Sequence, residues 1–135
     1  MASNNNNNEL GTNLLKATAF IGIVWGGADI VAPRFVMSQL GVDNSVITGP
    51  AGASTEIMFR ITGSAAVGMG LMALTQTDNP SPEFLRATAG AMALSSAAQL
   101  VCLSTDESPF DPMRVVPSSI MLFGLAAGLF VASRR

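Results

Sequence analysis

Hydrophobic residues in this chain gather into four long runs, separated by short stretches dense in proline, glycine, asparagine and aspartate. The last run is the plainest. Val115 to Ala132 holds no charged residue and stops at Ser133-Arg134-Arg135, close to the roughly 20 apolar residues with which a helix crosses a bilayer. Ala87 to Thr105 is equally free of charge. It is preceded by Ser81-Pro82-Glu83, which supplies a capping hydroxyl, a proline suited to a first turn and an acid matched to the helix dipole. Ile61 to Thr77 follows Glu56 and Arg60, one helical turn apart and able to pair at a membrane edge. The first run, Leu14 to about Leu40, is interrupted by Asp29 and by Pro33-Arg34. It predicts a helix that crosses, bends near Pro33 and runs along the surface to Gly41.

These runs place helices over about residues 13–40, 55–76, 82–105 and 113–133. The fold expected is all-α: an integral membrane protein of four transmembrane helices in an up-down bundle, one domain over 13–135. The connections, Thr48-Gly49-Pro50-Ala51-Gly52, Thr77 to Pro82 and Ser108 to Pro112, are rich in turn formers and short enough to make sequential helices antiparallel neighbours. Four crossings then put both termini on one side with Lys16, Arg86, Arg134 and Arg135, against Arg34, Arg60 and Arg114 opposite. That small basic excess orients the termini toward cytoplasm or stroma; Asp43, Glu56, Asp106, Glu107 and Asp111 on the far side count little in the rule. Residues 1–12, with five asparagines at Asn4 to Asn8, have almost nothing apolar to bury and read as a polar tail. They lack the order of a signal peptide, so the chain needs no cleaved signal or begins after one.

Composition sharpens this picture. Of 135 residues, 49% are hydrophobic and 12% charged, where a soluble domain carries about a quarter charged, and the mean hydropathy is +0.44. A net charge of −2 leaves no basic face to neutralise phosphates, so nucleic acid is not an expected partner. The absence of histidine excludes imidazole acid-base chemistry and imidazole-held zinc, copper or haem. With no tyrosine and a lone Cys102, no catalytic residues and no metal site are expected, and the chain does not read as an enzyme.

Small residues are the strongest positive pattern. Gly124 and Gly128 form a Gly-xxx-Gly pair in the last run; Gly63, Gly68 and Gly70 thin the second, and Gly90 with Ala87, Ala91, Ala97 and Ala98 thins the third. Such surfaces let helices approach closely, either inside the bundle or against a partner. Asp29 is the acid set deepest in an apolar run; it reads as an ion or proton site, or as a carboxylate near the surface paired with Arg34 or Arg60. Gln99, with Ser95 and Ser96 one turn earlier, reads as an interhelical hydrogen-bonding residue, or as an amide offering its oxygen to a magnesium tetrapyrrole such as chlorophyll. Leu15-Lys16-Ala17-Thr18-Ala19 reappears as Leu85-Arg86-Ala87-Thr88-Ala89, with a fainter echo of Arg60 and Ser64 in Arg114 and Ser118, the pattern a duplicated helical hairpin would leave.

In these features together (few charges, helices rich in Ala, Gly and Met, short Pro-rich loops, a polar tail) the chain resembles the small accessory membrane subunits of photosynthetic supercomplexes in red-lineage algae, of the photosystem I–antenna type. No diagnostic motif carries the likeness, and the chlorophyll-ligand signature of light-harvesting proteins is absent. The resemblance implies a thylakoid scaffold with stromal termini, joining photosystem core and light-harvesting subunits. It implies no intrinsic cofactor, with chlorophyll, carotenoid and lipid filling its interfaces. Two alternatives stand beside it. One is a free-standing four-helix protein binding or moving a small hydrophobic molecule, with Asp29, Arg34, Glu56 and Arg60 at a cavity mouth; the other is an accessory subunit of a mitochondrial respiratory complex.

Overall fold

The computed structural model describes residues 2–105 and 108–134, with side chains from Asn8 onward. Asp106, Glu107 and Arg135, assigned above to the two membrane faces, lie outside the described residues. The elements are α1 (Ala2–Val31), α2 (Pro33–Gln39), α3 (Asn44–Thr48), α4 (Pro50–Thr75), α5 (Pro82–Leu103) and α6 (Pro112–Ala132), and the regular structure among the described residues is all helical.

The helix ends follow local chemistry. Pro33 disfavours helical backbone at the preceding residue, and Ala32 lies at φ −135° and ψ 55°, so the expected single bent helix is broken into α1 and α2. α2 closes on Gly41, whose φ of +81° a side chain would strain. Gly41 N–H donates to Ser38 O at 3.2 Å and Val42 N–H to Met37 O at 3.1 Å, a Schellman closure. Its accompanying apolar contact is present too, with Val42 and Met37 in one buried cluster with Ile47. Asp43 caps α3 by accepting from Ser45 N–H at 2.7 Å and from Ser45 Oγ at 2.6 Å. These two donors hold its carboxyl below the usual carboxylate range. α3 was not expected from the sequence. Ser81 caps α5 as expected, accepting from Phe84 N–H at 3.1 Å.

At its start the chain departs from expectation. Residues from Ala2 are helical and continuous with the apolar part of α1 rather than forming a separate tail. Once an apolar segment has nucleated a helix, extending it through neighbouring residues is far easier than starting one.

Among the described residues three helices are long and apolar enough to cross a membrane: Asn8–Val31, Pro50–Thr75 and Pro112–Ala132. α5 is long enough, but Arg86, Ser95, Ser96 and Gln99 dilute it and it is not among them. The distribution of residues is the reverse of a water-soluble bundle. Large apolar side chains face outward, with Phe20 68%, Leu94 73% and Met113 84% exposed. Buried positions are taken by small and hydroxyl residues such as Ala19, Thr18, Gly63, Gly70, Ala73, Ser96, Ser119 and Ala126. Lipid as solvent permits this arrangement, because apolar side chains gain nothing by leaving it and helices associate through close packing instead.

α1 packs along α4 and α5 along α6, and the two pairs join through α1 and α6; α4 and α5 barely touch. At one end Leu15 and Ala19 meet Ala73, Leu85, Ala89, Leu129 and Ala132, drawing all four long helices together. Thr12 Oγ donates to Thr77 O at 2.8 Å there. At the other end α2, α3 and the α5–α6 connection gather, with Asp111 N–H donating to Leu40 O at 3.0 Å and Arg114 Nη1 to Ser38 O at 3.0 Å. The repeated pentapeptides sit at equivalent places in the first cluster, with Leu15 and Leu85, Thr18 and Thr88, and Ala19 and Ala89 all buried.

The α1–α4 contact is backbone against backbone. A Cβ on Gly26 would lie 2.6 Å from Gly63 O, one on Gly22 2.7 Å from Ala66 O, and one on Gly70 2.9 Å from Ala19 O. Gly63→Ala should therefore lower stability by about 1–3 kcal/mol through overpacking, whereas Gly27→Ala, with nothing within 4 Å, should leave it unchanged or raise it by about 0.5–1 kcal/mol. Unfolding of each variant in detergent, followed by circular dichroism, measures the contrast. A second expectation concerns Asp43. Because its pKa is lowered in the folded chain, the cap is fully formed above the ordinary aspartate value of about 3.9 and is released as pH falls through the lowered value. Amide exchange at Ser45, followed by NMR, should stay slow at pH 4 and quicken only in stronger acid.

Candidate functional site

Three arrangements of polar and small residues stand out against the apolar background. The first is between α5 and α6. Gln99 Oε1 accepts from Ser119 Oγ at 2.7 Å and from Ser118 Oγ at 3.1 Å, and Ser96 Oγ donates to Ser119 O at 2.9 Å. Of the two readings of Gln99, this geometry is the interhelical one, and its oxygen is engaged by two hydroxyls. The bonds explain how α5, the long helix with no stretch apolar enough to count as a membrane span, is held: Gln99 and Ser96 are turned onto α6.

The second arrangement is at the α1–α2 break. Glu56 Oε2 accepts from Arg34 Nε at 2.9 Å and Glu56 Oε1 from Arg60 Nη2 at 2.9 Å. Arg60 Nη1 also donates to Ile30 O at 2.8 Å, in the last turn of α1 where carbonyls run out of helical partners. The expected Glu56–Arg60 pair is present, but the expected partners of Asp29 are not. Glu56 takes both guanidiniums because it lies one turn from Arg60 on the outer side of α4, while Asp29 points into the α1–α4 contact. Asp29 is 7% exposed, its Oδ1 has no hydrogen-bond partner, and a Cβ on Gly63 would lie 2.6 Å from its Cβ. Asp29, Arg34, Glu56 and Arg60 are not among the residues that line the cavity between the helices.

That cavity is the third arrangement. About 320 Å³ in volume, it is lined by Thr18, Gly22 and Trp25 of α1, Thr62, Ala65 and Met69 of α4, Met92 and Ser95 of α5, and Leu122 and Leu125 of α6. It lies where α4 and α5 part. A more open recess of about 410 Å³ shares Thr62 with it and adds Ser54, Met58, Cys102 and Phe110. Among the described residues no group of three His, Cys, Asp or Glu comes together to hold a metal ion.

The predicted glycines divide. Gly63 and Gly70 are buried against α1, and Gly128 packs on Leu14, 2.9 Å from where its Cβ would be. Gly68, Gly90 and Gly124 have nothing within 4 Å. Sequence reading missed Gly22 and Gly26, although they are themselves a Gly-xxx-Gly pair and bring the backbones of α1 and α4 into direct contact; the cavity, built from four separated segments, had no local signal.

Gln99→Leu should destabilise the chain by about 1 kcal/mol, and a double-mutant cycle with Ser119→Ala should return a coupling of about 0.5–1 kcal/mol, as hydrogen bonds between membrane helices do; equilibrium unfolding in mixed micelles checks both. Compared with protein-family models, with curated proteins and with solved structures, the chain shows no match.

Proposed function

We propose that this chain is an accessory subunit of a larger membrane complex, crossing the bilayer four times as an up-down bundle and serving as scaffold rather than catalyst. The observation that carries the reading is the outward set of glycines: Gly68 on α4, Gly90 on α5 and Gly124 on α6 face open space, while their counterparts Gly22, Gly26, Gly63 and Gly70 are used inside. An exposed glycine in a membrane helix leaves a shallow place where a neighbouring backbone can approach. α5 adds a second support. Its outer side pairs Gly90 with exposed Ala87, Ala97 and Ala98, a surface that gains more from a partner helix than from lipid chains.

α5 becomes the fourth crossing because α6 satisfies its Gln99 and Ser96. The described basic residues then separate by end: Lys16, Arg86 and Arg134 near the termini, and Arg34, Arg60 and Arg114 at the far end. The termini take the cytoplasmic or stromal side. The complex proposed is a photosynthetic one in the thylakoid membrane, with photosystem core and light-harvesting subunits as partners and with chlorophyll, carotenoid or lipid at the seams. That particular choice rests on the resemblance in sequence style; the scaffold role rests on the helix surfaces.

Replacing Gly124 or Gly90 by Leu should release the chain from its complex while leaving its own unfolding temperature within a few degrees of the original, because neither Cβ meets anything internal. Asp29→Asn should leave association unchanged. Native gels of gently solubilised membranes, with the absorption spectrum of the band containing the chain, read the outcome. A chain that migrates alone and colourless before any substitution contradicts the proposal.

A further inference from the structure

The likeness between the two pentapeptides extends into the packing. The buried residues Leu15, Thr18, Ala19 and Gly26 of α1 recur 70 positions on as Leu85, Thr88, Ala89 and Ser96 of α5, all buried as well. Gly63, Gly70 and Ala73 of α4 recur 56 positions on as Ser119, Ala126 and Leu129 of α6, again all buried. The α1–α4 and α5–α6 hairpins thus repeat one packing pattern about an approximate two-fold axis. The cavity between the four long helices sits on that axis, because its lining pairs Gly22 with Met92, Trp25 with Ser95, and Met69 with Leu125 at the same two offsets.

Such an arrangement makes the α1–α6 and α4–α5 seams equivalent, yet the first is packed and the second is parted. Differences between the repeats give the reason. Ile21 and Trp25 lie two and three turns along α1 from Leu14, on the side where Leu14 meets Gly128 of α6. Their counterparts on α5 are Ala91 and Ser95. An alanine and a serine therefore stand at one seam where an isoleucine and an indole stand at the other, and the volume they leave is open.

We infer that this space holds one acyl chain of a membrane lipid, which enters between the parted α4 and α5. The lining offers it no polar group in need of a partner: Thr62 Oγ donates to Met58 O and Ser95 Oγ to Ala91 O, each at 2.9 Å, and the Oγ of Thr18 is closed off from the space. The packed seam fills the equivalent positions with apolar side chains, so an apolar filler is what the parted seam lacks. Left empty, its walls would forfeit their dispersion contacts. The space is also long and narrow. The cavity and the more open recess that shares Thr62 with it follow one side of α4 from Ser54 to Gly70, about 24 Å at the helical rise. Volumes of about 320 and 410 Å³ over that length give a mean section of about 30 Å². A helix 10 Å across needs roughly 80 Å², so a partner's helix does not fit where a polymethylene chain does. The inference goes beyond the accessory-subunit reading: the lipid belongs to the isolated chain, and its test needs no partner.

Trp25, the sole tryptophan, lines the cavity and reports on it. The full chain, delipidated in mild detergent, is titrated with phosphatidylcholine carrying a dibrominated oleoyl chain, whose bromines quench indole on contact. Quenching should saturate at one lipid per chain and be reversed by the unbrominated lipid. Ser95→Phe and Ala65→Phe fill the space from α5 and from α4, and each should abolish the saturable part. Leu94→Phe, beside Ser95 but facing outward at 73% exposure, should leave it intact. Unfolding followed by circular dichroism should show the two filled variants as stable as the original or more so. The inference is overturned if quenching rises without saturating, as it would were a partner's side chains the natural occupant. It is overturned equally if saturation persists in either folded variant, if Leu94→Phe removes it too, or if both filled variants unfold the chain.

Discussion

The contact of backbone on backbone between α1 and α4 is the constraint from which the rest of the molecule follows. Gly22, Gly26, Gly63 and Gly70 let the two backbones meet, with Ile23, Asp29 and Ile30 folded against the glycines of α4, and other large residues of both helices are turned outward. The result is a surface of Phe20, Val24, Ile57, Ile61 and Leu71 that in water would be an extended apolar patch of the kind monomeric proteins avoid. In hydrocarbon it is an ordinary exterior. Close helix approach and a lipid-facing surface are two aspects of one choice of residues.

The second pair is held by different means. α5 and α6 exchange hydrogen bonds through Gln99, Ser96, Ser118 and Ser119, and this accommodates the polar residues that leave α5 without a candidate membrane span. The two pairs meet fully only at the end where Leu15, Leu85 and Leu129 pack together. Toward the other end, the break at Ala32, the turn at Gly41 and the cluster of Met37, Val42 and Ile47 occupy the space beside α4. Phe59 and Phe110, with ring centroids 6.4 Å apart, bridge that end, while α4 and α5 stay apart between the two closures. The cavity is a consequence of this uneven closing.

Much of the framework was legible in the residues. Long charge-free runs and the Ser81-Pro82-Glu83 helix start act locally and are found as helices where the pattern put them, while Pro33, expected to bend one helix, breaks it in two. The Glu56–Arg60 pair was legible for the same reason, being one turn apart on one helix. Asp29 was not, because its neighbour is Gly63, distant in sequence, and its expected cations are claimed by Glu56. Glycine spacing announced that helices approach closely without saying which faces meet: Gly124 and Gly128 look alike in sequence, yet Gly128 touches Leu14 and Gly124 touches nothing. Thr18 and Thr88 sit in near-identical pentapeptides, yet Thr88 Oγ donates to Phe84 O of its own helix and Thr18 Oγ has no partner.

The most direct measurement is of the path of α5 through the bilayer. In a Cys102→Ala background, single cysteines introduced as Asn79→Cys before α5 and Ser108→Cys after it are exposed to a membrane-impermeant maleimide from one side of sealed vesicles. A four-crossing bundle, with α5 carried through hydrocarbon by its hydrogen bonds to α6, predicts that the two sites label from opposite sides. Labelling of both from the same side would contradict it, leaving α5 on the membrane surface and α6 without the partner on which this account depends.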